Sequence, residues 1–282
     1  MSGNPVSFGL AAAVTWGAAD FTGGLASRRT GVYAVVVWAE LSGLLVLFAL
    51  AGLTGEPAPD LQTWLLAGAA GIGGGFALLL FYQALAAGQM SIAAPISAVL
   101  AAAVPVLVSA IWLGLPGPLT GFGMLLALLA ITLISRSDGP DQTAAIQLSQ
   151  IRLPLLAGLG FGLYFILLHL ASPEGVIWPL IAARCASVLF LIGFSLLTRQ
   201  EWLPGKAAWL LIIASGLLDT TANAFYILAT QIGRLDVAAV LSSLYPGGTV
   251  LLAWLILKER VSRLQMVGVI AALVAIVLIT SQ

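Results

Sequence analysis

Residues 61–135 contain no aspartate, glutamate, lysine or arginine, an uncharged run of 75 residues. As one straight helix, at a rise of ~1.5 Å per residue, the run would be about 110 Å long. The hydrocarbon core of a bilayer is about 30 Å thick. The run must therefore fold back on itself. Its breakers are Gly88-Gln89-Met90-Ser91 and Gly114-Leu115-Pro116-Gly117-Pro118. Three spans result, near 62–87, 91–113 and 119–136.

Composition extends this to the whole chain. Of its 282 residues 61% are hydrophobic and 8% are charged, with a mean hydropathy of +1.09. A soluble domain carries about 25% charged residues. A water-facing surface cannot be built here, which excludes a soluble enzyme, a coiled coil and a disordered chain. A β-barrel would alternate polar and apolar residues and give a weaker hydropathy signal. The expected fold is an all-α integral membrane protein. Two spans precede the uncharged run, near 6–27 and 32–53. Five follow it, near 153–171, 175–198, 206–231, 235–257 and 263–281, making ten. The N-terminus lacks a basic region, so the first span is expected to stay in the membrane.

Other counts exclude functions. Net charge is zero, which offers no footprint for nucleic acid. One cysteine, Cys185, forms no intrachain disulfide, and one histidine, His169, makes no His-rich metal site. Lys206 and Lys258 are the only lysines, and neither lies in a phosphate-binding G-x-x-x-x-G-K-[ST] loop. No cofactor is expected.

The two halves are related. A shift of 145 residues places Gly88 on Gly233, Ala93-Ala94 on Ala238-Ala239, Ser97 on Ser242, Gly123 on Gly268 and Ile131 on Ile276. It also places Trp16-Gly17 on Phe161-Gly162, while a shift of 144 places Phe81-Tyr82 on Phe225-Tyr226. The expected units are a first five-helix repeat at 1–136, a polar linker at 137–151 and a second repeat at 152–282. Five is odd, so the second repeat enters from the opposite side. Inverted repeats of this kind place a binding site near the midplane between them.

The segment Asp236-Val237-Ala238-Ala239-Val240-Leu241-Ser242-Ser243-Leu244-Tyr245-Pro246, followed by Lys258-Glu259-Arg260-Val261, resembles the end of an EamA repeat of the drug/metabolite transporter superfamily. The helix of Gly268 and the Trp16-Gly17 pair fit the same pattern. The first repeat departs from it, with Gly114-Leu115-Pro116-Gly117 where a glutamate-arginine pair belongs and Glu40 where arginine is frequent; the second keeps Arg184. The resemblance implies ten helices in two inverted halves, a central cavity, and export or exchange of small metabolites such as amino acids. Drug-like or lipid-linked cargo also suits an apolar interior. An intramembrane enzyme or a channel is the alternative of another class; no H-e-x-x-H or G-x-S-x-G motif supports an enzyme.

Four ionisable residues fall inside spans: Asp20, Glu40, Arg184 and Asp219. Such groups are expensive in hydrocarbon unless they face a cavity or a partner. Counted from the span ends, all four lie near the same depth, about 12–14 Å below one face for Asp20 and Glu40. Three carboxyls against one guanidinium are not all expected to be ionised together, because burial and like charge disfavour the charged form. Glu40 or Asp219 is the expected proton acceptor, with Arg184 binding a substrate carboxylate or one of the acids. A fixed structural ion pair is the competing reading. Asp20, near Arg28-Arg29, is close enough to reach toward the interface. Asn223 follows Asp219 by four residues and shares its helix face. Tyr226 and its counterpart Tyr82, with Gln83, Ser97, Ser242, Ser243 and Tyr245, are further candidates for a cavity lining, though Ser, Asn and Gln also join helices by hydrogen bonds. Trp178, Trp202 and Trp209 read as interfacial anchors and His169 as a headgroup-facing residue. Pro95 and Pro105 in span 4 and Pro246-Gly247-Gly248 in span 9 interrupt the backbone bonding of two repeat-equivalent helices, either as static kinks or as gates.

Lysine and arginine set the orientation. The loops after spans 1, 5, 7 and 9 hold nine, and the opposite side holds only Arg234. These four loops are expected to be cytoplasmic and both termini outside, in the inner or plasma membrane. The expected partners are a small-molecule substrate, protons and the bilayer, and two fused halves make a monomer sufficient. After replacement of Cys185 by serine, single cysteines at Thr54 to Asp60 will react with an impermeant thiol reagent added to intact cells. Protection of that loop until the cells are opened would reverse the orientation.

Overall fold

The computed structural model describes residues 4–87, 90–134, 148–201, 203–257 and 262–280. Arg136, Trp202 and Lys258-Glu259-Arg260-Val261 lie outside them, as does most of the expected linker. All regular structure among the described residues is helical: α1 (Pro5–Ser27), α2 (Val32–Thr54), α3 (Leu61–Ala86), α4 (Met90–Leu113), α5 (Pro118–Ile134), α6 (Leu148–Ala171), α7 (Ile177–Leu197), α8 (Trp209–Ile232), α9 (Leu235–Ser242), α10 (Tyr245–Leu257) and α11 (Arg263–Thr280). A single 3-10 turn at Lys206–Ala208 leads into α8. The helix α6 starts inside the stretch expected to be linker.

Ten spans result, because α9 and α10 together make the ninth. Seven spans are long and apolar enough to cross a membrane by length and composition. Of the others, α1 is 23 residues long but carries Thr15, Asp20 and Thr22, and α5 and α11 are short and pack on each other. The outward side chains are apolar, among them Leu45, Ile111, Leu189, Leu210 and Leu273. Lipid tails solvate such a surface, whereas water does not.

The kinks differ between the repeat-equivalent spans. The helix α4 continues through Pro95 and Pro105, whereas span 9 breaks at Ser243-Leu244. Pro246 has no N–H to give to the carbonyl of Ser242, and its ring crowds that carbonyl. Two glycines follow at once, and they add little helix propensity to carry the helix through. Span 9 therefore enters the molecule as two short helices.

Close crossings repeat between the halves. Gly71 on α3 lies so near the Ala183 carbonyl of α7 that a Cβ would overlap it, and Gly216 on α8 lies in the same way against the Ala39 carbonyl of α2. One turn further on, Gly75 faces Ser187, and Gly43 faces Thr220. The two crossings are the same contact made twice, since shifts of 145 and 144 carry Gly71 to Gly216 and Ala39 to Ala183. On α1, a Cβ at Gly17 would come within 2.6 Å of the Tyr245 carbonyl oxygen; on α6, one at Gly162 would come within 3.2 Å of the Leu100 carbonyl oxygen. The pair α5 and α11 closes on itself, Gly123 against Leu278 and Ile279, Gly268 against Leu133 and Ile134. Small residues permit this approach, and dispersion at short range is what joins helices in lipid.

The loops sort to two faces. Trp178 donates its indole N–H to the Glu56 carbonyl at 2.7 Å, and Glu56 Oε2 accepts the Ile177 N–H at 3.4 Å, joining the loops after spans 2 and 6. Arg234, paired with Asp236 at 2.8 Å, donates to the Gly114 carbonyl at 3.0 Å, joining the loops after spans 8 and 4. On the other face the Gly205 N–H reaches Thr30 Oγ1 at 3.4 Å, joining the loops after spans 7 and 1.

Gly17→Ala is expected to lower the thermal midpoint in detergent, because its methyl group meets backbone rather than a side-chain tip and overpacking costs about 1–3 kcal/mol. Gly52 has open space around it. Gly52→Ala should leave the midpoint unchanged or raise it, by up to about 1 kcal/mol.

Candidate functional site

The crossings converge on one cavity between the helices, with a volume of about 70 Å³. Helices of both repeats line it. From the first come Trp16 and Asp20 (α1), Glu40 (α2), Gly74 and Phe81 (α3), and from the second come Tyr164 and Phe165 (α6), Arg184 (α7), Asp219 and Asn223 (α8) and Tyr245 (α10).

The spacings explain the convergence. Trp16 and Asp20 are four residues apart, as are Asp219 and Asn223, so each pair shares a helix face. Glu40 and Arg184 directly follow Ala39 and Ala183, the two residues that receive the close glycines. Each is thereby fixed beside a tight crossing, close enough for the two side chains to pair. Glycine at position 74 leaves room for the Tyr164 ring, 2.6 Å from where a Cβ would stand.

Arg184 is 5% exposed and holds two carboxylates, Glu40 Oε1 through one terminal nitrogen and Asp219 Oδ2 through the other. A guanidinium presents its donors in a planar fork, which suits two acids at once. Asp219 takes three more hydrogen bonds. Trp16 Nε1 donates to Oδ1 at 3.0 Å, and Asn223 Nδ2 donates to Oδ2 at 3.1 Å and to the Asp219 carbonyl at 2.7 Å. Tyr164 donates to Asn223 Oδ1 at 2.6 Å. One continuous network thus runs Tyr164, Asn223, Asp219, Arg184, Glu40, with Trp16 as a branch.

Asp20 stands apart. It lines the same cavity as Asp219, another acid. It makes no hydrogen bond or ion pair with any described residue. Its side chain lines the interior cavity with Trp16 rather than standing at the interface with Arg28 and Arg29.

The aromatic wall was only partly visible beforehand. Trp16 stacks on Phe165 at 5.2 Å between ring centroids, Phe165 on Tyr226 at 4.5 Å, and Phe81 meets Phe161 and Tyr245 edge-on at 5.9 and 6.4 Å. Phe81, Phe161, Tyr164 and Phe165 were not singled out from sequence. A signal existed, since the 145-residue shift pairs Phe161 with Trp16 and Phe165 with Asp20. Tyr245 lines the cavity and shares a 3.3 Å hydrogen bond with Ser97. Tyr82 and Tyr226 do not line it. Both are buried between helices, Tyr82 bonded to Ser215 at 3.3 Å and Tyr226 donating to the Phe165 carbonyl at 3.1 Å. Gln83 instead bonds Tyr33 at 3.4 Å, and Ser242 donates to the Gly9 carbonyl at 3.4 Å. Trp209 packs edge-on against Trp38, and His169 is half-buried near the end of α6. Among the described residues no group of three His, Cys, Asp or Glu side chains is arranged to hold a metal ion.

The ten-span helical bundle thus holds a cavity lined by Asp20, Glu40, Arg184 and Asp219 and by six aromatic rings. The profile of the EamA-like transporter family matches residues 4–136 and 149–281. The chain belongs to that family of membrane transporters. No curated protein matches it. A solved crystal structure superposes with a TM-score of 0.76 at 18% identity, covering 98% of this chain and 97% of the other, which shows a shared fold.

Arg184→Gln will remove the one cation facing two buried carboxylates, and a loss of about 3–5 kcal/mol of stability is expected. Glu40→Gln leaves the bond to Asp219 in place and should be milder. Thermal unfolding of both variants in the same detergent checks the order.

Proposed function

We propose that the chain moves small metabolites across the membrane by alternating access around this cavity, with Asp20 carrying the coupling proton. The observation that supports it is one unpaired carboxyl, in a cavity whose other charges are all engaged. Protonating Glu40 or Asp219 would break its bond to Arg184. Removing one partner of a buried pair costs about 3–5 kcal/mol. Protonating Asp20 breaks no ion pair, so a proton can come and go there without unlocking the helices. This moves the coupling role away from Glu40 and Asp219, the residues the sequence favoured for it.

Inverted repeats support the alternating part of the reading, because two related halves can exchange roles about a fixed site. The break between α9 and α10 lies directly before Tyr245, a cavity residue, and is the natural hinge. Both halves of the site come from one chain, so a monomer suffices. In the proposed orientation the termini face outward and the loops after spans 1, 5, 7 and 9 face the cytoplasm of a cell with this protein in its inner or plasma membrane.

Proteoliposomes offered a panel of amino acids, amines and drug-like molecules, with and without a pH gradient, provide the test. Saturable flux that responds to the gradient is expected, with Asp20→Asn losing the response and Glu40→Gln keeping it. The opposite pattern would return the coupling role to Glu40. Flux without saturation would indicate a channel, and the absence of flux for the whole panel would overturn the transport reading.

A further inference from the structure

We infer that the cavity selects protonated organic amines over carboxylates, a narrowing of the cargo that rests on the transport reading above. Three observations carry it.

The first is the state of the cation lining the cavity. Among the described residues Arg184 is the sole lysine or arginine there, and it is occupied by Glu40 and Asp219. A carboxylate or phosphate entering the cavity would have to displace one of these acids. The displaced acid would then be buried without a partner, a penalty that offsets the new bond. An anionic cargo therefore gains little.

The second is the sign of what remains. With Glu40 and Asp219 both ionised, two carboxylates on one guanidinium leave one negative charge, and Asp20 adds another when it is deprotonated. The field inside the cavity favours a cation. Asp20 is also the one acid free to form a direct charge-assisted hydrogen bond, the stronger class of such bonds.

The third is the wall. Trp16, Phe81, Phe161, Tyr164, Phe165 and Tyr245 all line the cavity. Aromatic faces attract an ammonium group within about 6 Å of the ring centre, with indole the strongest. Trp16 is one turn from Asp20 on the same face of α1. A primary amine at Asp20 thus finds its counter-charge and an aromatic neighbour on one helix, while the opposite wall holds the apolar part of the molecule. An amino acid presents the same ammonium but brings a carboxylate for which no free cation exists. A decarboxylated amine meets every requirement.

The experiment uses three molecules with one ring. Phenethylamine, phenylalanine and phenylacetate are titrated by calorimetry into the purified full-length protein in lipid nanodiscs, near neutral pH. Phenethylamine is expected to bind tightest and phenylacetate not at all. Asp20→Asn should weaken the amine by at least about tenfold, while Asp20→Glu, which keeps the charge, should restore much of the affinity. A thermal midpoint near the wild-type value for both variants separates a lost contact from a lost fold. Phenylalanine or phenylacetate binding as tightly as the amine would overturn the inference. So would an unchanged affinity in Asp20→Asn, or no amine binding at millimolar concentration. Binding at equilibrium requires no flux, so the two readings fail separately. Amine binding without transport in proteoliposomes would sink the carrier reading alone. Saturable flux of acids with no amine affinity would sink the cargo assignment alone.

Discussion

A guanidinium in the interior of a membrane protein must find its counter-charge within the protein, because hydrocarbon provides none. Arg184 finds two. Desolvating such a group costs several kcal/mol even after relaxation, and the attraction of close, hydrogen-bonded acids is what returns it. That requirement ties α7 to α2 through Glu40 and to α8 through Asp219. Asp219 in turn draws in α1 through Trp16, and Asn223 draws in α6 through Tyr164. Five helices around the cavity are therefore positioned by one charge. Any movement that opens the cavity must carry this network as a unit or exchange its partners in one step. Asp20, outside the network, can change its charge without disturbing it.

The ion pairs in turn depend on backbone approach. Charged side chains reach each other across a helix bundle only if the helices come close enough. Gly71 against Ala183 and Gly216 against Ala39 provide that proximity, each crossing joining a helix of one repeat to a helix of the other. A methyl group at either glycine would separate the helices next to Arg184 or Glu40. Packing and electrostatics are coupled here: the small residues set the distance, and the charges use it.

The fold was almost wholly legible in the sequence, for a physical reason. A bilayer permits few solutions, so a run of apolar residues dictates a helix and its length dictates a crossing. The boundaries of α1 to α5 follow the Gly and Pro breakers within a few residues. The split of span 9 was only half visible. Pro246-Gly247-Gly248 marked a disturbance, but Pro95 and Pro105 gave the same signal in α4, which stays continuous. Proline removes one bond in either case, and the two glycines that follow Pro246 at once distinguish the helix that breaks. The site was legible as a set of four charges at one depth. Which of them pair was not, because depth along a helix says nothing of its rotation. Asp20 was open to two readings, one of four charges at a single site or a side chain reaching toward Arg28 and Arg29, and its place four residues after Trp16 puts it on the cavity face. Tyr82 and Tyr226 share a repeat position and a polar tip, and both turned that tip to a helix neighbour instead of the cavity, since a buried hydroxyl needs a partner wherever one is nearest.

Where the repeats differ is as informative as where they agree. The shift that superposes the crossings sets Glu40 against Arg184, Asp20 against Phe165, Gly74 against Asp219 and Leu78 against Asn223. All eight line the cavity, and in no pair do the two halves offer the same chemistry. The crossings are duplicated and these four cavity pairs are not, although Trp16 and Phe161 keep an aromatic ring at the cavity in both halves. A symmetric lining would hold a ligand equally well in two orientations related by the pseudo-two-fold axis. Opposite and unequal side chains remove that degeneracy. Asp20 has Phe165 at the equivalent place in the other half, so the carboxyl without an ion-pair partner among the described residues stands on one side of the pseudo-symmetry only. A ligand that bonds this carboxyl is held in one of the two orientations. Symmetry in the frame supports two related conformations, and asymmetry in the lining supports one way of being held.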